Sequence, residues 1–273
     1  MSRLLAGITQ EYISLFPDEA VKFIEAMAPE ASQSLMVSLS ASECAKLFEH
    51  TTLTQSQRWI ASLPLEKATA ILQLMANDIS ALLIRRMPKD LKAQVMQALP
   101  EFKQAALSQT LDYPSYTIGS ISDPIVLSIA DDIPIQSALD QIRDAQAYEH
   151  QFVYVVNRSQ QFVGILSLRE FIVAKPDQLV RAVMKRPKLL LSAMNSKKAF
   201  SEAISAATED EIPVIDEQKR LVGVLRKSIL ARLEDSAEDI ADNKPQSILL
   251  SFAELFWQIT AGFLPSTRKS TDP

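Results

Sequence analysis

A twelve-residue repeat opens the chain and constrains its architecture more than any other feature. Most units place two apolar residues eight and nine positions after their first residue, as in Phe23–Ile24 and Leu83–Ile84. Repeats of this kind indicate a solenoid, in which stacked units bury one continuous core. The unit starts are Leu15, Met27, Leu39, Thr51, Leu63, Met75, Met87 and Leu99.

Proline and acidic residues mark the start of a helix in these units. Proline suits a first helical turn because its φ is fixed and it lacks an N–H, and a helix N-terminus favours negative charge. Each unit is therefore predicted to form a short helix and a tight turn, giving a superhelix over residues 5–112 whose handedness the pattern leaves open. The marker residues are Pro17, Pro29, Pro64, Pro88 and Pro100, followed by Asp18, Glu30, Glu66, Asp90 and Glu101.

A second repeat follows, with a longer period. At an offset of 59 residues, Val153–Asn157 aligns with Ile212–Asp216, and Phe162–Leu166 aligns with Leu221–Leu225. The strands are nearly all apolar, as expected when both faces of a sheet are covered. Each copy reads strand, helix, strand, strand, helix: 124–128, 134–145, 152–157, 162–168 and 169–174, then 188–192, 196–207, 212–216, 221–226 and 227–234.

The glycine-containing strand Phe162–Glu170 resembles the repeat of the CBS domain, and the two copies resemble a tandem CBS pair. The fold class implied is α+β multidomain: a superhelix of short α-helices, a tandem β-α-β-β-α pair and a C-terminal amphipathic helix. We expect CBS units over residues 118–175 and 181–235, and the final helix over residues 246–264.

The order of these parts resembles the intracellular region of MgtE magnesium transporters, over about residues 15–240. The helical repeat is followed by the Leu111–Pro114 junction, the CBS pair and an acidic segment. Pro245–Trp257 is similar in position and character to that family's plug helix. The resemblance implies a homodimeric magnesium sensor in which ions bridge acidic residues. The polar residues before Pro273 replace the family's membrane helices, so we expect a module that does not conduct.

Acidic residues are concentrated after the CBS pair, at Glu234, Asp235, Glu238 and Asp239. Spacings of three and four residues place several of these carboxylates on one helical face. Mg²⁺ prefers oxygen ligands and keeps some of its waters, so a partial set of carboxylates is enough to bind it. We predict a metal site here; the alternative is a solvated linker.

CBS pairs also bind adenine nucleotides, through a Ser or Thr followed three residues later by an Asp. Ser167 and Glu170 occupy these positions in the first unit, and Arg226 occupies the first of them in the second unit. An arginine there suits a phosphate. Two alternatives to magnesium sensing therefore stay open: an adenine-nucleotide sensor without metal dependence, and a scaffold that recruits a protein.

The final segment carries an apolar stripe at helical spacing. Residues 246–264 contain no Lys or Arg, which disfavours a membrane-surface helix. We expect this helix to pack on a second copy of the chain or on a protein partner, such as a membrane transporter. The stripe consists of Ile248, Leu249, Phe252, Leu255, Phe256, Ile259 and Phe263.

Composition excludes several classes of function. A net charge of −5 disfavours nucleic acid as a partner. Cys44 is the only cysteine, so the chain holds no internal disulfide and no thiolate cage, and a reducing cytoplasm fits. His50 and His150 lack the neighbours of a catalytic triad. We therefore predict a cytoplasmic protein without enzymatic activity, brought to a membrane only through a partner.

Overall fold

The N-terminal domain is a stack of short helices that begin at intervals of twelve residues, which confirms the predicted repeat. The computed structural model describes residues 11–13, 15–145, 151–230 and 232–233. The helices are α1 (Pro17–Glu25), α2 (Pro29–Ser38), α3 (Ala41–Glu49), α4 (Leu53–Ser62), α5 (Leu65–Leu74), α6 (Asn77–Arg85), α7 (Lys89–Ala98) and α8 (Glu101–Asp112).

The helices pack mainly on the helix two units away. Helix α1 contacts α3, α3 contacts α5 and α5 contacts α7, while α2 contacts α4, α4 contacts α6 and α6 contacts α8. Helices of nine to twelve residues are marginal alone, so this packing supplies most of their stability. Most of the apolar pairs therefore merge into one core, where Leu83 and Ile84 are both fully buried, although Phe23 of the first pair is 65% exposed.

One polar position recurs in the repeat. Cys44, Ser56 and Ser80 share a place in their units, and each donates to the backbone carbonyl eight residues earlier, at 3.4, 3.4 and 3.1 Å. A buried carbonyl without a partner costs free energy, so a small donor side chain satisfies it from the next helix. The first six units therefore combine an apolar pair with a small side chain at this position, whereas the last two carry Lys92 and Gln104 there.

Two three-stranded sheets follow, one in each unit predicted to be a CBS domain. The first unit contains β1 (Ser128–Ala130), α9 (Ile135–Asp144), β2 (Phe152–Val156), β3 (Phe162–Ser167) and α10 (Leu168–Val173). After the short helix α11 (Val180–Val183), the second contains β4 (Leu191–Ser192), α12 (Lys197–Ala206), β5 (Glu211–Ile215) and β6 (Leu221–Arg226). In each sheet the first strand is parallel to the second and the second is antiparallel to the third.

The segment before each sheet crosses to the opposite unit. Asp123 exchanges two backbone hydrogen bonds of 2.8 Å with Val224 in β6, and Lys185 makes the equivalent pair with Ile165 in β3. The crossing leaves no room for a side chain in the strand: a Cβ on Gly223 would lie 2.5 Å from the carbonyl oxygen of Asp123. This close approach explains the glycine in the repeated strand.

The crossing also corrects the predicted first strands. The sequence placed them at 124–128 and 188–192, but pairing within each sheet covers only Ser128–Ala130 and Leu191–Ser192. The preceding residues look like strands because they are apolar and extended. The chain is still paired with the other unit at Asp123, and just before β1 the carbonyl of Leu127 accepts a 3.1 Å hydrogen bond from the Tyr154 N–H of its own sheet.

Buried apolar residues form three cores in the described part of the chain, the smallest of which spans both CBS units. One runs from the helical domain into the second CBS unit, where Leu191, Val214 and Leu225 belong to it. The first unit has its own core around Val155, Leu166 and Phe171. The helical domain and the second unit are therefore packed as one body. None of the helices in the described ranges is long and apolar enough to cross a bilayer.

Candidate functional site

A buried cluster of charges joins the helical domain to the second CBS unit. Arg226, at the end of β6, places its Nη2 atom 2.7 Å from Oδ1 of Asp78 and its Nε atom 3.0 Å from Oδ2. The same Nη2 lies 3.4 Å from Oδ2 of Asp123. Asp78 lies in the first turn of α6, and Asp123 lies in the crossing segment. One guanidinium thus bridges two carboxylates from different parts of the chain.

Both carboxylates are withdrawn from water. The side chains of Asp78 and Asp123 are only 2% and 8% exposed, and that of Arg226 is 24% exposed. Burial raises the pKa of Asp78, and the opposing charge and hydrogen bonds of Arg226 act to lower it. Removing one partner from such a pair leaves an uncompensated buried charge, which is strongly destabilising. The cluster therefore makes the position of the helical domain sensitive to a single side chain.

Asp123 has further partners that hold its carboxylate in place. Its Oδ1 atom accepts a 2.9 Å hydrogen bond from Nδ2 of Asn77 and a 3.0 Å bond from the backbone N–H of Ile125. Asn77 is the first residue of α6 and precedes Asp78 directly. The start of one helix therefore supplies both an amide and a carboxylate to the interface.

A third carboxylate extends the cluster toward the first CBS unit. Glu211 lies opposite Arg226 in the β5–β6 pairing, and it is 6% exposed. It accepts a 3.2 Å hydrogen bond from the Tyr154 hydroxyl and a 3.0 Å bond from the Gln151 N–H, both in the first unit. Polar contacts thus run from the helical domain through Arg226 into both CBS units.

Three further contacts surround the cluster. Arg232 donates to the backbone carbonyls of Phe48 and Thr51, the latter at 3.0 Å, where helices α3 and α4 meet. Gln109 of α8 donates to the carbonyl of Val222 at 3.2 Å. With the shared apolar core, these contacts cover an interface much larger than the ion cluster alone.

The predicted nucleotide residues of the first unit lie together at the corner between β3 and α10. The Ser167 N–H donates to Oε2 of Glu170 at 2.8 Å, and Lys185 Nζ lies 2.6 Å from Oε1. Burial acts to raise the pKa of Glu170, but the hydrogen bonds from Lys185 and Ser167 outweigh it and lower the pKa to about 2. The corner combines a serine, a carboxylate and an ammonium group.

The structure does not bring Arg226 to this corner, since its guanidinium is directed to Asp78 and Asp123. The predicted metal ligands Glu234, Asp235, Glu238 and Asp239 lie outside the described residues, as does the predicted helix over 246–264. Within residues 11–13, 15–145, 151–230 and 232–233, no group of three or more His, Cys, Asp or Glu residues has the arrangement of a metal site.

Sequence reasoning missed the importance of Asp78. Its place in its unit is the one where Asp18, Glu30 and Asp90 carry the acid expected in a first helical turn. Those three residues are exposed in the structure, whereas Asp78 is buried. The weak signal came from its neighbour Asn77, because five of the other seven units place proline or an apolar residue at that position. Local pattern alone does not distinguish an exposed helix acid from one aimed at another domain.

Two family models match the chain. The MgtE intracellular N domain matches residues 15–116, and the CBS domain matches residues 118–177. Among curated proteins, the magnesium transporter MgtE of Bacillus subtilis is 27% identical over 161 residues, which is 58% of this chain and 36% of the transporter. MgtE of Thermus thermophilus is 26% identical over 132 residues, or 47% of this chain and 29% of the transporter. The matched regions thus span about a third of these relatives' length.

Two solved structures share the fold across both domains. The cytosolic domain of the Mg²⁺ channel MgtE in complex with ATP aligns with a TM-score of 0.75 and 20% identity, covering 85% of this chain and 94% of that one. The soluble part of a magnesium transporter aligns with a TM-score of 0.72 and 22% identity, covering 86% and 94%. At these identities the likeness establishes the fold.

Proposed function

Because the chain combines an MgtE intracellular N domain with CBS units in the fold of an MgtE cytosolic domain, we propose that it is a non-catalytic regulatory module linked to magnesium transport. The observation that carries the proposal is the interface between the helical domain and the second CBS unit. A shared core and the Arg226 cluster unite the two domains there. Binding of a ligand to one domain is therefore expected to change the position or stability of the other.

Magnesium would act at the acidic segment that follows this interface. The last described residues are next to the helical domain, since Arg232 binds the carbonyls of Phe48 and Thr51. Glu234 and Asp235 are the next residues in the sequence. Mg²⁺ bound by the four predicted carboxylates, which include Glu238 and Asp239, would neutralise them and dock the segment against the folded domains.

The test follows the melting temperature and the rate of proteolysis within residues 234–245 while MgCl₂ is titrated to millimolar concentration. A ligand that prefers the native state raises the melting temperature by mass action. We expect Mg²⁺ to raise it and to protect the segment, and the variant with E234Q, D235N, E238Q and D239N to lose both effects. NaCl at matched ionic strength controls for screening. A cleavage rate of the wild type that does not change with Mg²⁺ concentration contradicts the proposal.

Adenine nucleotide is the second candidate ligand. Ser167, Glu170 and Lys185 meet at the β3–α10 corner, and a relative of the same fold was crystallised with ATP. Lys185 supplies a positive charge for a phosphate. Titration with ATP or AMP should raise the melting temperature of the wild type, and less so that of K185A. An equal response of both proteins, or none, removes this corner as the binding site.

We further propose that the protein is a homodimer formed through the CBS pair. On α10 of the first unit, Leu168, Ile172 and Val173 are 71%, 75% and 76% exposed, and a second copy would cover this apolar face. Sedimentation measurements at tens of micromolar should give a dimer, and I172E should give a monomer. A monomeric wild type at this concentration contradicts the proposal.

The segment 246–264 is proposed to bind a protein partner, for which a membrane magnesium transporter is the leading choice; the module would then act at the cytoplasmic side of a membrane. Deleting residues 246–273 should leave the melting temperature of the CBS units unchanged and abolish co-purification with that transporter. Flotation with lipid vesicles gives the opposing outcome: strong wild-type binding that is lost on deletion identifies the segment as a membrane anchor instead.

A further inference from the structure

Arg226 occupies a position where two buried carboxylates from different domains converge. Asp78 belongs to the helical domain and Asp123 to the segment that crosses onto β6. We propose that Arg226 is a built-in cation that holds the helical domain against the second CBS unit, so that this contact needs no divalent ion. The inference shares this interface with the proposed function but goes beyond it, because it concerns what holds the two domains together and not what Mg²⁺ does at the acidic segment.

The charges at the interface require a positive group. Two carboxylates brought together away from water repel each other, and the repulsion grows as the local dielectric constant falls. The side chains of Asp78 and Asp123 are almost fully buried, so solvent screens them little. Glu211, on the other side of Arg226, adds a third acidic group to its surroundings. Without Arg226, closure of the domains would bury this negative charge uncompensated.

The guanidinium also matches the geometry. It binds Asp78 through two different nitrogens, at 3.0 and 2.7 Å, and reaches Asp123 with one of them at 3.4 Å. A planar group with several fixed donors suits this arrangement better than a point charge does. Arg226 is part of β6, so its positive charge is covalently attached to the second CBS unit. Unlike a bound metal ion, it does not dissociate when the concentration of free ion falls.

The same site contains the oxygen atoms that a divalent ion would use. Oδ1 of Asn77 is buried without a hydrogen-bond partner in the described part of the chain, and Asn77 itself is 7% exposed. Its Nδ2 atom binds Asp123, so it lies beside the two carboxylates. One amide and two carboxylate oxygens are suitable ligands for Mg²⁺. A neutral residue in place of Arg226 should therefore make closure depend on Mg²⁺.

The experiment measures the distance between the two domains with and without Mg²⁺. Glu30 in α2 and Lys198 in α12 are exposed, and E30C with K198C provides two sites for spin labels. Cys44 is fully buried and stays unlabelled. We expect the otherwise wild-type protein to give the same short distance by pulsed electron paramagnetic resonance in EDTA and in millimolar MgCl₂.

Substitutions at Arg226 distinguish the effect of its positive charge from the effect of its side-chain shape. R226Q should open the domains in EDTA, seen as a longer and broader distance distribution, and MgCl₂ should restore the short distance. R226K, which keeps the charge, should remain closed in EDTA. R158A is the matched control, because Arg158 pairs with Asp132 inside the first CBS unit at 2.7 Å. It should not change the distance.

Three results would overturn the proposal: opening of the wild type in EDTA, a closed R226Q in EDTA, or an open R226Q that MgCl₂ fails to close. Circular dichroism establishes that each variant is folded. If R226Q does not fold, D78N is tested in its place. It weakens the contact between Arg226 and the helical domain, and it also removes a carboxylate that would bind the divalent ion. D78N should open the domains in a way that MgCl₂ does not reverse, and reversal contradicts the proposal.

Discussion

Nη2 of Arg226 lies 2.7 Å from Oδ1 of Asp78, although 148 residues separate the two along the chain. The contact joins the end of a β-strand in the second CBS unit to the first turn of a helix in the N-terminal solenoid. Because Asp78 is buried, its partner decides whether the interface is stable. The contact between the helical domain and the second CBS unit therefore depends strongly on this one pair.

The Arg226–Asp78 pair should be strongly coupled. Replacing either residue alone, with R226M or D78N, is expected to lower the free energy of unfolding by about 3 to 5 kcal/mol, because the other charge stays buried. The double variant should lose less than the sum of the two losses, since it removes both charges. Urea denaturation followed by circular dichroism measures all four proteins. Additive losses would mean that the two side chains do not stabilise each other.

Gly223 should not tolerate a side chain. G223A places a Cβ 2.5 Å from the carbonyl oxygen of Asp123, so either β6 or the crossing segment must shift. We expect a loss of about 1 to 3 kcal/mol in the free energy of unfolding, as for other overpacked sites. Q141A, on the exposed face of α9, is the control and should change stability by less than about 0.5 kcal/mol. Equal effects of the two substitutions would contradict the close approach.

Cys44 should be inert in the native protein. Its side chain is fully buried, and burial raises the pKa of its thiol to about 11. A disulfide reagent should therefore label the native protein at least about 10³-fold more slowly than the urea-unfolded protein, because labelling must wait for opening. The control is E30C in a C44S background, whose exposed thiol should react at once. Rapid labelling of native Cys44 would show that the solenoid opens locally.

C44S itself should fold, for a reason found in the repeat. Ser56 and Ser80 occupy the same unit position and already donate to the carbonyl eight residues earlier. A serine hydroxyl at position 44 can make the same bond, so the melting temperature should change little. C44V removes the donor, so the carbonyl loses this hydrogen bond. The C44V protein should therefore be less stable than the C44S protein. The opposite order would argue against a role for this hydrogen bond.

Glu170 should stabilise the first CBS unit in a pH-dependent way. Its folded-state pKa of about 2 is lower than the ordinary value of 4.5, so the native state favours the charged carboxylate. The stabilisation is then complete above about pH 5 and is lost as the pH falls from 4.5 toward 2. The measurement is the difference in free energy of unfolding between wild type and E170Q across this range.

K185M is the companion variant, because it removes the ammonium that lies 2.6 Å from Glu170. In a K185M background, the effect of E170Q should be smaller at neutral pH, and its change with pH should be weaker. If E170Q has the same effect at pH 3 as at pH 7, the carboxylate is not held in its charged form by these partners.

Much of the fold was predictable from local pattern. The twelve-residue repeat located the helix starts, because proline, first-turn acids and apolar pairs act within one turn of the helix. The second repeat located the paired strands and the glycine within the last strand of each unit. The first strand of each unit begins later than predicted, since an extended apolar segment gives the same sequence pattern whether or not it pairs with the sheet. Ser167 and Glu170 lie together because they are three residues apart at one helix start, and their role in binding a nucleotide stays a prediction.

The sequence by itself determined the two kinds of repeat and the order of the domains, because spacing and propensity act over a few residues. Only the tertiary structure decided what Arg226 binds. Sequence analysis assigned it to a nucleotide phosphate from its place in the second repeat, whereas the fold directs it to Asp78 and Asp123. The physical reason is that a long side chain at a strand end finds its partner from the surface docked against that strand. That surface belongs to a helix 148 residues away, whose position depends on the packing of the whole solenoid.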